Sequence, residues 1–384
     1  RSSQGHLFPL FYRVEFLRGK FAAKGGFSMK KLCVIGVVFA LVIALLNSGC
    51  IPLEKLYGYS AWVVGDAAKD GKAMILYSDD SGGSWSRQGT DVLPEGDYLS
   101  DVYAVSMYEV WAVGSGGLLI KTTNGGKNWK VVDLPDELKA VDFAHISIFD
   151  SDIWLSGDKG LVVFSKDGGK SWTVADLPEG SQEYLLQGIH AINHNLVYAV
   201  GNKSAGAENG IVLCTEDGGL TWGRIVLPND YNENGWIGVK ATDENHVIIF
   251  GGKGHYAVTA NGGKQWVAGG PLFWKDLNSL VMLDERTYWA ACDFDTIIFT
   301  RDSGISWEEQ PPAGMSNSFL LGIAALDRNH ALIAGGSAGY PQFGKILRTV
   351  NGGQSWEVVL DGDECDVPLW HVAIAKHNYM APLP

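Results

Sequence analysis

The sequence is poor in cysteine and in positive charge, and it shows no helical periodicity anywhere. Its five cysteines, Cys33, Cys50, Cys214, Cys292 and Cys365, stand at unrelated spacings. They form neither a disulfide framework nor a zinc or redox motif. No histidine pair has metal-ligand spacing, because His190 and His194 fall on an expected strand, where an i, i+4 pair does not form a metal clamp. No glycine cluster opens a helix with a following Lys-Ser/Thr, which excludes a phosphate loop. Beyond residue 49 the chain has 23 Lys/Arg against 42 Asp/Glu, a net charge of -19. Such a surface repels nucleic acid and suits a basic partner. Only six arginines remain in that region, Arg87, Arg224, Arg286, Arg301, Arg328 and Arg348.

The longest apolar run, residues 32–46, is too short for a comfortable membrane span. It follows Met29-Lys30-Lys31 and ends in Asn47-Ser48-Gly49-Cys50, the layout of an export signal. The small residues before Cys50 resemble a bacterial lipobox, which implies diacylation of Cys50 and a lipid-anchored, exported chain on a bacterial cell membrane. Residues 1–28 begin with Arg, contain no Met and are expected to be untranslated leader or disordered. The expected organisation is then a signal peptide at 29–49, a tether at 50–59 and one folded domain at 60–384.

What the sequence has in quantity is glycine, 49 residues, and tryptophan, 14. Seven segments fit Ser/Thr-x-Asp/Asn-x-Gly-x-x-Trp without exception, with tryptophans 41 to 50 residues apart. Their acid or amide and tryptophan positions are Asp80 and Trp85, Asn124 and Trp129, Asp167 and Trp172, and Asp217 and Trp222. The series continues with Asn261 and Trp266, Asp302 and Trp307, and Asn351 and Trp356. Each box follows a run ending in small residues, such as "VWAVG" at 110–114, and an earlier start at Leu99, Leu138, Leu186, Trp236, Trp274, Leu320 or Leu369. A repeat of this length built from short strands and Gly/Asn/Asp turns is a propeller blade of strands A to D. The chain is expected to be all-β, a seven-bladed β-propeller with four-stranded blades. The first box lacks an A strand and the last A start lacks a box, so the C-terminal strand should complete the N-terminal blade. The competing expectation is an eighth repeat cut short.

The box resembles the Asp-box (BNR) repeat, and the resemblance covers residues 60–380. The longer unit at 110–135 is most similar to the photosystem II stability/assembly factor family. That resemblance implies a non-enzymatic propeller that binds a partner protein, and a monomer is expected. The family's arginine patch has no counterpart here. Asp-boxes also occur in sialidases, but the arginine cluster and Arg-Ile-Pro start implied by that likeness are missing. The alternative reading is a carbohydrate-binding or glycoside-hydrolase-like propeller with two carboxylates in one cleft.

Within the box the chemistry is structural: an Asx-turn, glycines for positive φ and a tryptophan for burial. Function must lie where the copies differ. The B–C loops of blades 1, 4 and 7 are longer than the others, and blades 1 and 7 are ring neighbours. Tyr340 and Phe343 are expected there as exposed aromatic anchors for a partner, with Asp66 and Asp70 in the blade 1 loop. Asp293 and Asp295 replace the usual glycines of a B–C turn and are further partner-site candidates. No cofactor and no metal are expected.

Overall fold

The computed structural model describes residues 58–203, 209–228, 231, 235–270, 272, 274–310, 312, 317–339, 342–362 and 365–377. Cys50, the rest of residues 1–57 and Tyr340 lie outside these. The described chain forms seven four-stranded antiparallel sheets, each a blade of a β-propeller. The second blade shows the pattern: Leu99–Ala104, Val110–Gly114, Leu119–Thr122 and Trp129–Val131, paired in chain order. The inner strands neighbour one another in turn around the ring. Among the described residues no helix is long and apolar enough to cross a membrane.

Closure follows the sequence expectation. Leu369–Lys376 pairs with Tyr59–Ala67, from Tyr59 opposite Lys376 to Gly65 opposite Leu369, and completes the first blade. Ser60 Oγ and His377 Nε2 lie 3.0 Å apart across this seam. The closed ring leaves no open inner sheet edge.

Two of the expected strand starts fall outside the inner strands altogether. The third and sixth inner strands are Phe143–Phe149 and Leu277–Met282, not starts at Leu138 and Trp274. Leu138 instead ends a 3-10 turn, Asp136–Leu138, and is buried there. Trp274 is 87% exposed in the connection before the strand. The true start is fixed by the B strand beside it. A Cβ on Gly114 would lie 1.8 Å from the carbonyl oxygen of Tyr98, and one on Gly157 would lie 2.3 Å from that of Asp142. The small residue ending each B strand therefore marks where the next-door inner strand begins its bulge, whatever hydrophobic residue precedes it.

The seven boxes share one geometry. The Ser/Thr hydroxyl accepts a hydrogen bond from the N–H of the invariant glycine, as in Gly126 to Thr122 at 2.9 Å, and donates to the Asp or Asn, as in Thr122 to Asn124 at 2.9 Å. The Asp or Asn oxygen accepts the N–H four residues on, as in Thr221 to Asp217 and Ser306 to Asp302, both 2.9 Å. The position before the invariant glycine also has positive φ, yet Ser81 and Ser303 occupy it at 62° and 63°. The invariant glycine itself admits no side chain. A Cβ on Gly169 would stand 2.9 Å from Trp111, and one on Gly219 would stand 2.8 Å from Trp154, each on the preceding blade.

The box tryptophan packs in the same direction. Trp222 meets Trp154 edge to face at 6.1 Å, Trp266 meets Tyr198 at 6.3 Å, and Trp356 meets Trp289 at 6.3 Å. Trp129, Trp222, Trp266 and Trp356 are buried, whereas Trp85, Trp172 and Trp307 are half-buried. Cys214, Cys292 and Cys365 are free thiols, the last two buried in the packing.

Trp129→Ala should cost about 3–5 kcal/mol and Trp172→Ala less, measured by denaturant unfolding. The boxes also set an acid limit. Hydrogen bonds from the Thr221 side chain and backbone hold the Asp217 carboxyl at about 2, below its ordinary 3.8. Those from Ser306 do the same for Asp302, also at about 2, and those from Ser171 hold Asp167 lower still. A depressed folded-state carboxyl adds stability that is fully present above the unfolded value and lost as pH falls toward the folded one. Stability should therefore decline between about pH 4 and pH 2. Asp167→Asn, which copies boxes 2, 5 and 7, should fold at neutral pH and lose less stability over that window in acid-melting experiments.

Candidate functional site at the mouth of the central channel

A cavity of ≈ 700 Å³ opens where the D–A and B–C connections ring the channel. Its rim is acidic: Asp66, Asp142, Asp158 and Asp276 line it together with Tyr98 and Trp370. Burial raises the Tyr98 phenol to about 12, and Asp142, Asp158, Asp66 and Asp97 push in the same direction, so four carboxylates face this one ring. Burial also raises the Asp158 carboxyl, and Asp142 adds to it.

Several rim carboxylates clamp neighbouring blades. Asp142 accepts the Gly116 N–H at 2.9 Å and Asp276 accepts the Lys253 N–H at 2.8 Å, each across a blade boundary. Asp97 accepts the Ser115 hydroxyl at 2.9 Å, and Asp66 accepts the Trp370 indole N–H at 2.7 Å. Their second oxygens still place negative charge at the mouth. Exposed aromatics share this face. Trp274 is 87% exposed two residues before Asp276, and Phe294 and Trp370 are partly exposed.

Below the rim the inner strands carry a polar cluster. Asp101, 1% exposed, receives the Val102 N–H at 2.8 Å on one oxygen and the Ile146 N–H at 2.9 Å on the other. His371 Nδ1 lies 2.7 Å from the first oxygen and His145 Nδ1 2.7 Å from the second. Burial alone would raise the Asp101 carboxyl, but the two imidazoles outweigh it and hold it well below the ordinary range. Deeper in the channel, burial and Lys240 drive the His190 imidazole down to about 3. Burial also lowers the Lys240 ammonium against the pull of Asp101.

The sequence candidates are distributed differently from the expectation. Asp66 is on the rim. Asp70 is not: it binds Arg87 at 2.9 Å and caps the Lys72 N–H on the blade 1 loop. Asp293 accepts the Asn278 amide at 2.8 Å, and burial raises its carboxyl. Asp295, at φ 57°, accepts the Ser318 N–H at 3.0 Å and so ties blade 6 to blade 7. Phe343 is half-buried rather than exposed, with its N–H on the Ser337 hydroxyl at 3.0 Å and its carbonyl receiving the Ser337 N–H at 2.9 Å. The blade 1 loop does lean on the segment before the last strand, through Asp66 N–H to Pro368 at 3.2 Å and Lys69 to Asp366 at 3.3 Å.

Sequence reasoning missed Asp101, His145 and His371. All three stand just past the bulge of their inner strand, where the other blades have Gly188, Gly238, Ser279 and Gly322. That alignment was the available signal, and a start at Leu138 hides His145 from it. Three arginines that look scattered, Arg286, Arg301 and Arg328, line one cleft between blades 6 and 7. They sit on the A–B turn face, away from the acidic mouth. Arg328 is paired there with Asp284 at 2.5 Å and Arg301 with Glu308 at 3.2 Å.

The fold and its corners define a seven-bladed Asp-box propeller with an acidic, aromatic channel mouth. The profile of the photosynthesis system II assembly factor YCF48 family matches residues 57–142 and 132–270, more than half of the chain, and the chain belongs to this family. A structure of YCF48 bound to D1 peptide is 19% identical, with a TM-score of 0.53, covering 68% of this chain and 80% of that one. YCF48 from Cyanidioschyzon merolae is 20% identical, with a TM-score of 0.52, covering 68% and 84%. The GH74 enzyme of Niastella koreensis is 12% identical, with a TM-score of 0.55, covering 77% of this chain and 46% of the enzyme. At these identities the likenesses show the fold alone. No curated protein matches the chain by sequence.

Asp101→Ala should cost about 3–5 kcal/mol, because it leaves two imidazoles and the Ile146 N–H without their carboxylate. Asp101→Asn, which can still accept the backbone hydrogen bonds, should cost clearly less in the same unfolding experiment.

Proposed function

We propose that this protein is a non-enzymatic assembly factor that holds an extended, basic segment of a partner protein at its channel mouth. The observation that carries this reading is the mouth itself: carboxylates and Trp370 line a ≈ 700 Å³ cavity, and Trp274 and Phe294 are exposed in nearby connections. Carboxylates select Lys or Arg side chains and steer their approach. Exposed aromatic rings give contact area at little entropic cost and are frequent energetic anchors at interfaces. Family membership supports a partner-binding role, and one similar structure is of YCF48 bound to D1 peptide. The Asp-box corners contribute stability and are not part of the binding reaction.

The export layout of residues 29–50 supports a lipid anchor at Cys50, with a short tether holding the propeller near the membrane. Cys50→Ala should then release the protein from the membrane fraction and abolish incorporation of labelled fatty acid.

The test of the mouth is a binding titration with fluorescent Lys/Arg-rich peptides containing one aromatic residue. Wild-type protein should bind them, with affinity falling as salt rises. The double change Asp142→Lys, Asp158→Lys should abolish that binding, and Trp274→Ala should weaken it by about tenfold or more. Equal binding by wild type and charge-reversed protein would sink the reading. Release of reducing sugar from a polysaccharide, lost on changing Asp158 to Asn, would favour the glycoside-hydrolase-like alternative instead.

A further inference from the structure

We infer that Asp101, His145 and His371 form a binding site for a divalent first-row transition-metal ion, zinc being the simplest, in the wall of the central channel. The three side chains come from consecutive inner strands, those of blades 2, 3 and 1, at one register position. One ligand atom from each lies within 4.8 Å of the other two. Donor atoms bonded to one ion at about 2.0–2.2 Å lie no more than about 4.4 Å apart, so a small inward shift of the side chains suffices for one ion to reach all three. One carboxylate with two imidazoles is a donor set for zinc, iron, nickel or copper, whereas calcium and magnesium prefer all-oxygen shells.

A second observation concerns the imidazole of His371. Its Nδ1 is buried and lies 2.7 Å from an Asp101 oxygen, an ion-pair contact that does not meet the alignment of a good hydrogen bond. A bound cation would give this poorly aligned ring nitrogen a directed partner. Asp101 is pre-oriented for the same task. One backbone N–H on each oxygen fixes the carboxylate while leaving further lone pairs open toward the imidazoles.

The approach is open. The cluster lines the ≈ 700 Å³ cavity, and the rim carboxylates above it attract cations. Lys240 lines the same cavity and works against a second cation. It gives the inference a distinctive sign: removing that charge should tighten metal binding, which a purely structural Asp–His cluster does not predict.

The experiment is a titration of the untagged full-length chain with Co²⁺, followed by its visible d–d absorption, and then displacement by Zn²⁺. Wild type should take up one equivalent in the micromolar range or tighter, and zinc should raise its melting temperature. His371→Gln and Asp101→Asn should each weaken binding by more than the roughly 10–100-fold that changes around a metal's ligands cause. Lys240→Met should tighten it. If Asp101→Asn fails to fold, judged by circular dichroism, His371→Gln and Lys240→Met carry the decision. Absence of stoichiometric binding by wild type would overturn the inference. So would binding that persists unchanged in His371→Gln, which would place the ion on surface histidines such as His194 or His246.

Discussion

The structure depends on one contact repeated around the ring: the glycine corner and tryptophan of each box pressed against the blade before it. A blade has its own sheet hydrogen bonds but no enclosed core. Its faces become buried only when the next corner arrives. Gly169 meets Trp111, Gly219 meets Trp154 and Gly82 meets Leu332 with no room for a methyl group, so the corner must have a glycine whatever bulky side chain the neighbour presents. The hydroxyl and carboxylate of the box hold the corner in that shape. The motif is therefore conserved within this one chain for packing, and its repetition is a statement about stability.

Against that seven-fold frame the channel is markedly uneven. At the same inner-strand position three consecutive blades present Asp101, His145 and His371, while three others present glycine. Glycine there is itself a consequence of crowding, since a Cβ on Gly238 would lie 2.2 Å from Phe250. At this level one side of the channel thus presents a carboxylate and two imidazoles, and the other presents mainly backbone and the Phe250 ring, with Lys240 and Gln187 beside them. The rim repeats the bias in charge. Its carboxylates serve two purposes at once, capping backbone N–H groups of adjacent blades and setting a negative potential at the entrance.

The fold was legible because it is written seven times, and the order of boxes and strand starts even located the closing seam. Local hydrophobic pattern failed at Leu138 and Trp274. One is buried in a connecting turn and the other is almost fully exposed, and neither state can be told from apolarity alone. The channel cluster was harder still. Asp101 and His371 are distant in sequence and meet only because the ring closes. Loop length pointed to Phe343, whose backbone hydrogen bonds with Ser337 fold it against the loop and leave it half-buried. The acidic balance of the chain was legible, but which carboxylates share a surface depends on three-dimensional placement.

The seam between Tyr59–Ala67 and Leu369–Lys376 also has a temporal meaning. Ser60 and His377 are 317 residues apart along the chain, and loop closure over that length costs about 5 kcal/mol of chain entropy before any strand contact compensates it. Six blades can assemble from neighbours in sequence, but the first blade must wait for the last strand to be made. Until then Tyr59–Ala67 presents a bare sheet edge, open to pairing with another molecule. The strand Leu369–Lys376 acts as a molecular clock: its arrival decides when the ring becomes a single cooperative body.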